Sequence, residues 1–277
     1  MQPGVEFATH DGVSLRGGLY VPSATGPHPA LVLLHGGAWQ EGAPSFWRHW
    51  GTYLADQGYV AFAATYRLSR PDQPAYPQNA YDTKAAVQWL RCRARELEVD
   101  PERLGIMGSS AGGHLAALVA LAGDAPQCAG PYADAPYRAA SARVKVCVSV
   151  YGVFHLMRQD EWGMAKPRPD ASVRQYLGGT PSEMRDVYEQ ASPHSWVTAE
   201  NNRVAFLLAW GTADSIVDPA SQSGPFVETL RRAGAVVEAV PIDGAAHGWM
   251  SRTPVLEPRS YTGYLAPRLL RFLGEHL

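Results

Sequence analysis

The chain has 277 residues, 46% of them hydrophobic and 10% aromatic, with a formal net charge of -2. That is ample material for one large core, and it excludes the basic surface expected of a nucleic-acid binder or of a protein drawn to anionic membranes. The three cysteines, Cys92, Cys128 and Cys147, form no C-x-x-C pair or disulfide framework; no basic-then-apolar leader opens the chain, and no stretch approaches the roughly 20 apolar residues of a membrane span. The expectation is a soluble, cytoplasmic protein that takes a small-molecule substrate, with no nucleic-acid or membrane partner.

In chain order, two short extended segments at 5–9 and 14–21 flank the turn His10-Asp11-Gly12. Residues 30–34 form a continuous apolar run, which suits a strand covered on both faces. Strand-like and helix-like segments then alternate. A helix is predicted at 47–57, a strand at 59–65, and a helix at 82–97, where Val87, Leu90, Ala94 and Leu97 have helical spacing and Asp82 stands as a cap. A strand at 103–108 leads into a helix at 111–121, and further strands fall at 144–150, 204–210 and 236–242, with helices at 221–232 and 261–272. This rhythm predicts an α/β fold: a mostly parallel central sheet with right-handed crossovers and helices on both faces. Between Tyr151 and Asn202 no clear strand appears, and about fifty residues are too many for a plain loop. A small helical cap inserted at about 152–202 of a single domain 1–277 is the preferred reading; an unrecognised strand is the alternative.

Open parallel sheets bind ligands at the carboxyl ends of their strands. Four predicted strands end there in loops that carry chemistry: His35-Gly36-Gly37-Ala38-Trp39, Gly108-Ser109-Ser110-Ala111-Gly112, Gly211-Thr212-Ala213-Asp214, and Asp243-Gly244-Ala245-Ala246-His247-Gly248-Trp249. The second spells G-x-S-x-G, in which a sharp strand-to-helix turn exposes a serine hydroxyl. Only Ser110 lies two residues from glycine on both sides, so it is favoured over Ser109. The bland alternative makes Ser110 a helix N-cap. A serine needs a base, and His247 follows both the serine and the acid in chain order. Asp214 is the acid that would orient it, with Asp218 as the rival. A carbonyl under attack needs preorganised amide donors, assigned to Gly37 and Ala38 of the glycine-rich loop and to Ala111 at the helix start. His35 is read as ordering that loop. Trp39, Tyr66, His114 and Trp249 are weaker candidates for the substrate pocket, while His10, His28, His49, His155, His194 and His276 are read as lying in loops, the cap or a terminus. No HExxH, Cys/His ligand cluster or dinucleotide fingerprint is present.

Taken together, HGGAW, GSSAGG, GTADSIVD and GAAHGW resemble the α/β-hydrolase superfamily. More narrowly, they are similar to the esterase branch near hormone-sensitive lipase and to the acetylxylan-esterase-like, feruloyl-esterase-like and kynurenine-formamidase-like groups. Tyr66-Arg67-Leu68 and the segment from Tyr176-Leu177-Gly178-Gly179-Thr180 to Ala191-Ser192-Pro193 fit the same branch. Ala38 departs from the HGGG loop of the lipase-like members and shifts weight to the HGGxW groups. The resemblance implies no metal and no organic cofactor. It implies a serine carboxylesterase acting on small or short-acyl esters, with arylformamidase or amidase chemistry and sugar-ester deacetylation as alternatives, and a non-catalytic binding homologue as a different class. Oligomeric state is left open.

Overall fold

The computed structural model describes residues 1–132, 137–250 and 254–277. Its eight strands are β1 (Gln2–His10), β2 (Val13–Tyr20), β3 (His28–Leu34), β4 (Val60–Ala64), β5 (Val99–Ser109), β6 (Val146–Val150), β7 (Ala205–Gly211) and β8 (Val237–Ile242). They form one sheet in the order β1-β2-β4-β3-β5-β6-β7-β8. The first two are antiparallel additions at one edge, and every pairing from β4 to β8 is parallel.

The apolar run of β3 is buried throughout because both faces of the sheet are covered. Its alternate residues enter two different cores. Ala30, Val32 and Leu34 join one with Phe62, Ile106 and Phe206, and Leu31 and Leu33 join the other with Met107, Val146 and Leu207. On the first face lie α2 (Gln78–Cys92), α3 (Ala111–Ala122) and α7 (Ser223–Arg232), contributing Trp89, Leu115 and Phe226. On the second lie α1 (Arg48–Asp56) and α8 (Tyr261–His276), contributing Trp50, Leu269 and Phe272. Each such side chain withdrawn from water contributes about 1.5–3 kcal/mol before entropy is subtracted.

Between β6 and β7 the described residues form no strand. They make three short helices, α4 (Leu156–Met164), α5 (Ser172–Leu177) and α6 (Arg185–Ala191). Phe154, Leu156, Val173, Tyr176 and Tyr188 from this stretch belong to the first core, so the segment shares its apolar interior with the sheet.

The helix expected at 82–97 spans Gln78–Cys92 instead, and His28, expected in a loop, begins β3. The second helix begins at Gln78, directly after Pro77, four residues before Asp82. Proline tolerates the helix start because its missing N–H would have had no partner there, and a polar first turn hides the true boundary. Asp82 is therefore a buried interior residue and not a cap. Its carboxylate takes both Arg67 Nε (2.9 Å) and Nη2 (2.8 Å), the Arg67 backbone amide (2.9 Å), and His10 Nδ1 (2.8 Å). His10 likewise ends β1 and is buried, where a loop position was expected.

Candidate active site

The elbow after β5 is sterically dictated. Ser110 has φ 53° and ψ -121°, a region disfavoured for a residue with a Cβ, and its side chain makes no capping bond to α3. A Cβ on Gly108 would lie 2.1 Å from the Gly112 carbonyl oxygen, and one on Gly112 would lie 2.1 Å from the carbonyl oxygen of Leu34. Strand and helix cross too closely at both points for any side chain. Gly112→Ala is expected to destabilise the fold by at least about 1–3 kcal/mol, because backbone must shift to admit the methyl; an unchanged urea midpoint would contradict this.

Ser110 Oγ lies 3.0 Å from His247 Nε2, and His247 Nδ1 lies 2.6 Å from Asp214 Oδ2. Asp214 follows β7, and its other oxygen accepts the amides of Ile216 and Val217, each at 2.9 Å. That carboxylate side chain is fully buried. Two fixed donors on one oxygen aim the other at the imidazole, and the Nδ1–H donated there leaves Nε2 as the acceptor facing Ser110. Asp218, the rival acid, is used elsewhere: its oxygens take the amides of Ala220 (3.3 Å) and Ser221 (3.0 Å).

The glycine-rich loop after β3 lies against the same serine, since a Cβ on Gly36 would come within 3.1 Å of Ser110 Cβ. Gly37, Ala38 and Trp39 have consecutive positive φ values of 120°, 50° and 60°. The turn is closed by the amides of Gln40 and Glu41 on the Gly37 carbonyl, at 2.9 and 3.0 Å. Ala111 is the first residue of α3, where the N–H has no acceptor within the helix.

Three of the weaker pocket candidates pack behind the glycine-rich loop. Trp39, Tyr66 and His114 are buried and act on the loop from behind. Tyr66 donates its hydroxyl to the His35 carbonyl (2.7 Å) and stacks on the His35 ring at 4.3 Å. Trp39 stacks on Tyr176 of α5 at 4.4 Å and donates Nε1–H to His114 Nδ1 (3.2 Å). His114 Nε2–H in turn donates to the Ala191 carbonyl of α6 (2.7 Å). Tyr176, in the Tyr176-Leu177-Gly178-Gly179 motif, is the partner that holds Trp39 against α5. Trp249 is half-buried against Tyr151 and Tyr261.

Tyr151, immediately after β6, joins the site without a motif of its own. Its ring centroid lies 4.6 Å from that of His247, and its hydroxyl accepts the Met250 amide (3.1 Å). Nothing in the local pattern marks it beyond its place after a buried strand.

Burial pushes the His35 and His114 imidazoles down to about 4, because charging either would strand a cation away from water. The folded protein thus binds those protons more weakly than the unfolded chain. Their stabilisation is complete above the ordinary histidine value near 6.5 and is lost as pH falls from there toward 4, by at most about 3 kcal/mol for each. Urea midpoints measured against pH are expected to be level above pH 7 and to fall between pH 6.5 and 4. His114→Gln, which can still accept from Trp39 and donate to Ala191, is expected to flatten part of that fall; an unaltered slope would contradict the assignment.

A mostly parallel eight-stranded sheet of this order, with helices on both faces, defines an α/β-hydrolase fold. The chain belongs to the BD-FAE family, whose model matches residues 18–230. It is 30% identical over 231 residues to Esterase LipC of Mycobacterium tuberculosis, covering 81% of this chain and 54% of LipC. It is 29% identical over 265 residues to Ethyl acetate hydrolase of Pseudomonas putida, covering 91% of this chain and 77% of that enzyme. The chain spans about half the length of LipC and of its fellow mycobacterial relatives LipM and LipQ. Among solved structures, Thermogutta terrifontis esterase 2 phosphoramylated by tabun superposes with a TM-score of 0.79 at 28% identity, over 98% of this chain and 94% of that one. No helix of the described residues is long and apolar enough to cross a membrane, and none of their His, Cys, Asp and Glu side chains group in a way that could hold a metal ion.

Proposed function

We propose that this protein is a serine carboxylesterase that hydrolyses small or short-acyl esters through an acyl-enzyme. The observation that carries the reading is the unbroken relay from Ser110 Oγ to His247 (3.0 Å) to Asp214 (2.6 Å). Ser110 attacks the ester carbonyl carbon while its proton passes to His247 Nε2. The resulting oxyanion is held by the amides of Gly37, Ala38 and Ala111. As the intermediate collapses, the C–O bond to the alcohol breaks and the alcohol leaves with the proton from His247. Water then repeats the sequence: it gives a proton to His247 and adds to the acyl carbon, and the acid departs as Ser110 regains its proton. General base catalysis of this kind contributes about 10²–10⁴-fold, and each oxyanion donor about 10²–10³-fold.

The resemblance to Ethyl acetate hydrolase supports a short acyl group, and the organophosphorus adduct of the Thermogutta esterase supports the serine chemistry. Residues 152–202 are read as a cap on a single domain, since α5 and α6 touch the machinery through Tyr176 and Ala191. The test is a panel of p-nitrophenyl acetate, butyrate and octanoate, an acetylated xylo-oligosaccharide and N-formylkynurenine. The account predicts the highest kcat/KM on acetate or butyrate. A clear preference for the sugar ester or the formamide would replace the substrate assignment, and turnover of none would contradict the reading.

A further inference from the structure

Tyr151 occupies a place that no ordinary core residue needs. It follows β6 in the left-handed region, at φ 40°, a conformation disfavoured for a residue with a Cβ. Its backbone ties two of the site's strands together. The carbonyl of the preceding Val150 accepts the amide of Ser110 (2.9 Å), and the Tyr151 amide donates to Ala209 of β7 (2.6 Å), five residues before Asp214. The strained φ turns the side chain across the carboxyl ends of the strands to the loop that carries His247. There the ring meets the His247 imidazole at 4.6 Å, tilted by 56°, and the T-shaped edge of Trp249 at 5.4 Å. The hydroxyl accepts the Met250 amide (3.1 Å), while Trp50 Nε1 donates to the Met250 carbonyl (3.1 Å).

From this we infer that Tyr151 is a positioning residue for His247. Asp214 holds the imidazole at Nδ1 and fixes its tautomer, but one hydrogen bond leaves the ring free to pivot about that contact. Tyr151 closes the pivot through its ring contact and holds the loop that carries His247 at Met250, so Nε2 stays aimed at Ser110. The strain at φ 40° is then the local cost of a contact made between three loops by one residue. The inference rests on the esterase reading above, and its own consequence lies in turnover: an imidazole displaced by about 1 Å can lose about 10²-fold in rate.

Two variants separate the parts. Tyr151→Phe keeps the ring and loses the hydroxyl; Tyr151→Asn tolerates the left-handed backbone and loses the ring. On p-nitrophenyl acetate, Tyr151→Phe is expected to lower kcat about 3–10-fold and Tyr151→Asn about 100-fold, each with KM within twofold of the parent. Near-UV circular dichroism should keep its sign and shape, with only the lost tyrosine contribution changed. The downfield proton NMR signal of the His247–Asp214 hydrogen bond, identified by its loss in His247→Ala, should persist in Tyr151→Phe and broaden or shift in Tyr151→Asn. Turnover by Tyr151→Asn within threefold of the parent overturns the inference. So does a loss of activity that merely follows loss of folded protein, or one expressed in KM alone. If the parent protein itself turns over no ester, the esterase reading has failed instead, and the NMR comparison still decides whether Tyr151 holds the ring.

Discussion

Ser110→Ala is expected to lower kcat by about 10⁶-fold, the loss typical when a triad nucleophile is removed, and to leave the thermal midpoint within a few degrees. The separation of the two effects follows from the site. Ser110 Oγ makes no capping bond to α3, so its loss withdraws nothing from the helix, and alanine meets the same backbone demand at φ 53°. What disappears is the only hydroxyl placed 3.0 Å from His247 Nε2 among the bonds described. Residual turnover would come from bound water acting in the same cleft. Steady-state kinetics on p-nitrophenyl acetate, with thermal unfolding of both proteins, checks the prediction. A loss smaller than about 100-fold would remove Ser110 from the role of nucleophile.

Asp214→Asn is expected to cost about 10⁴-fold in kcat, whereas Asp218→Asn should change it less than about threefold. The contrast comes from hydrogen-bond polarity. At position 214 the amides of Ile216 and Val217 require an acceptor, so the Asn oxygen stays with them and its NH₂ turns toward His247 Nδ1. Nδ1 must then accept, the ring proton moves to Nε2, and the atom facing Ser110 can no longer take a proton. At position 218 the partners are only backbone amides at a turn, and asparagine caps such amides as well as aspartate does. Equal losses from the two substitutions would reopen the choice of acid.

The mostly parallel sheet with helices on both faces was legible because buried apolar runs of strand length alternate with helical spacing, and such a sheet places the loops after those runs on one side. The glycines at 108 and 112 were legible for the same steric reason the structure displays. Other features were hidden by their physics. Pro77 begins a helix whose first turn is polar, so periodicity starts four residues late and Asp82 looks like a cap when it is the buried partner of Arg67 and His10. Trp39, Tyr66 and His114 carry the composition of a pocket wall, and only three-dimensional partners reveal that they brace the loop from behind. Tyr151 lies far along the chain from all its site partners, and its left-handed φ leaves no signature in a tyrosine codon or in hydrophobic spacing.

The central claim is that the Ser110 hydroxyl is activated where it stands. Incubating the protein with a fluorophosphonate probe and locating the adduct by peptide mass spectrometry tests it most directly. The account predicts stoichiometric labelling at Ser110, absent in Ser110→Ala and slowed at least 100-fold in His247→Ala. Folded protein that stays unlabelled, or an adduct on Ser109 or any other residue, would contradict it.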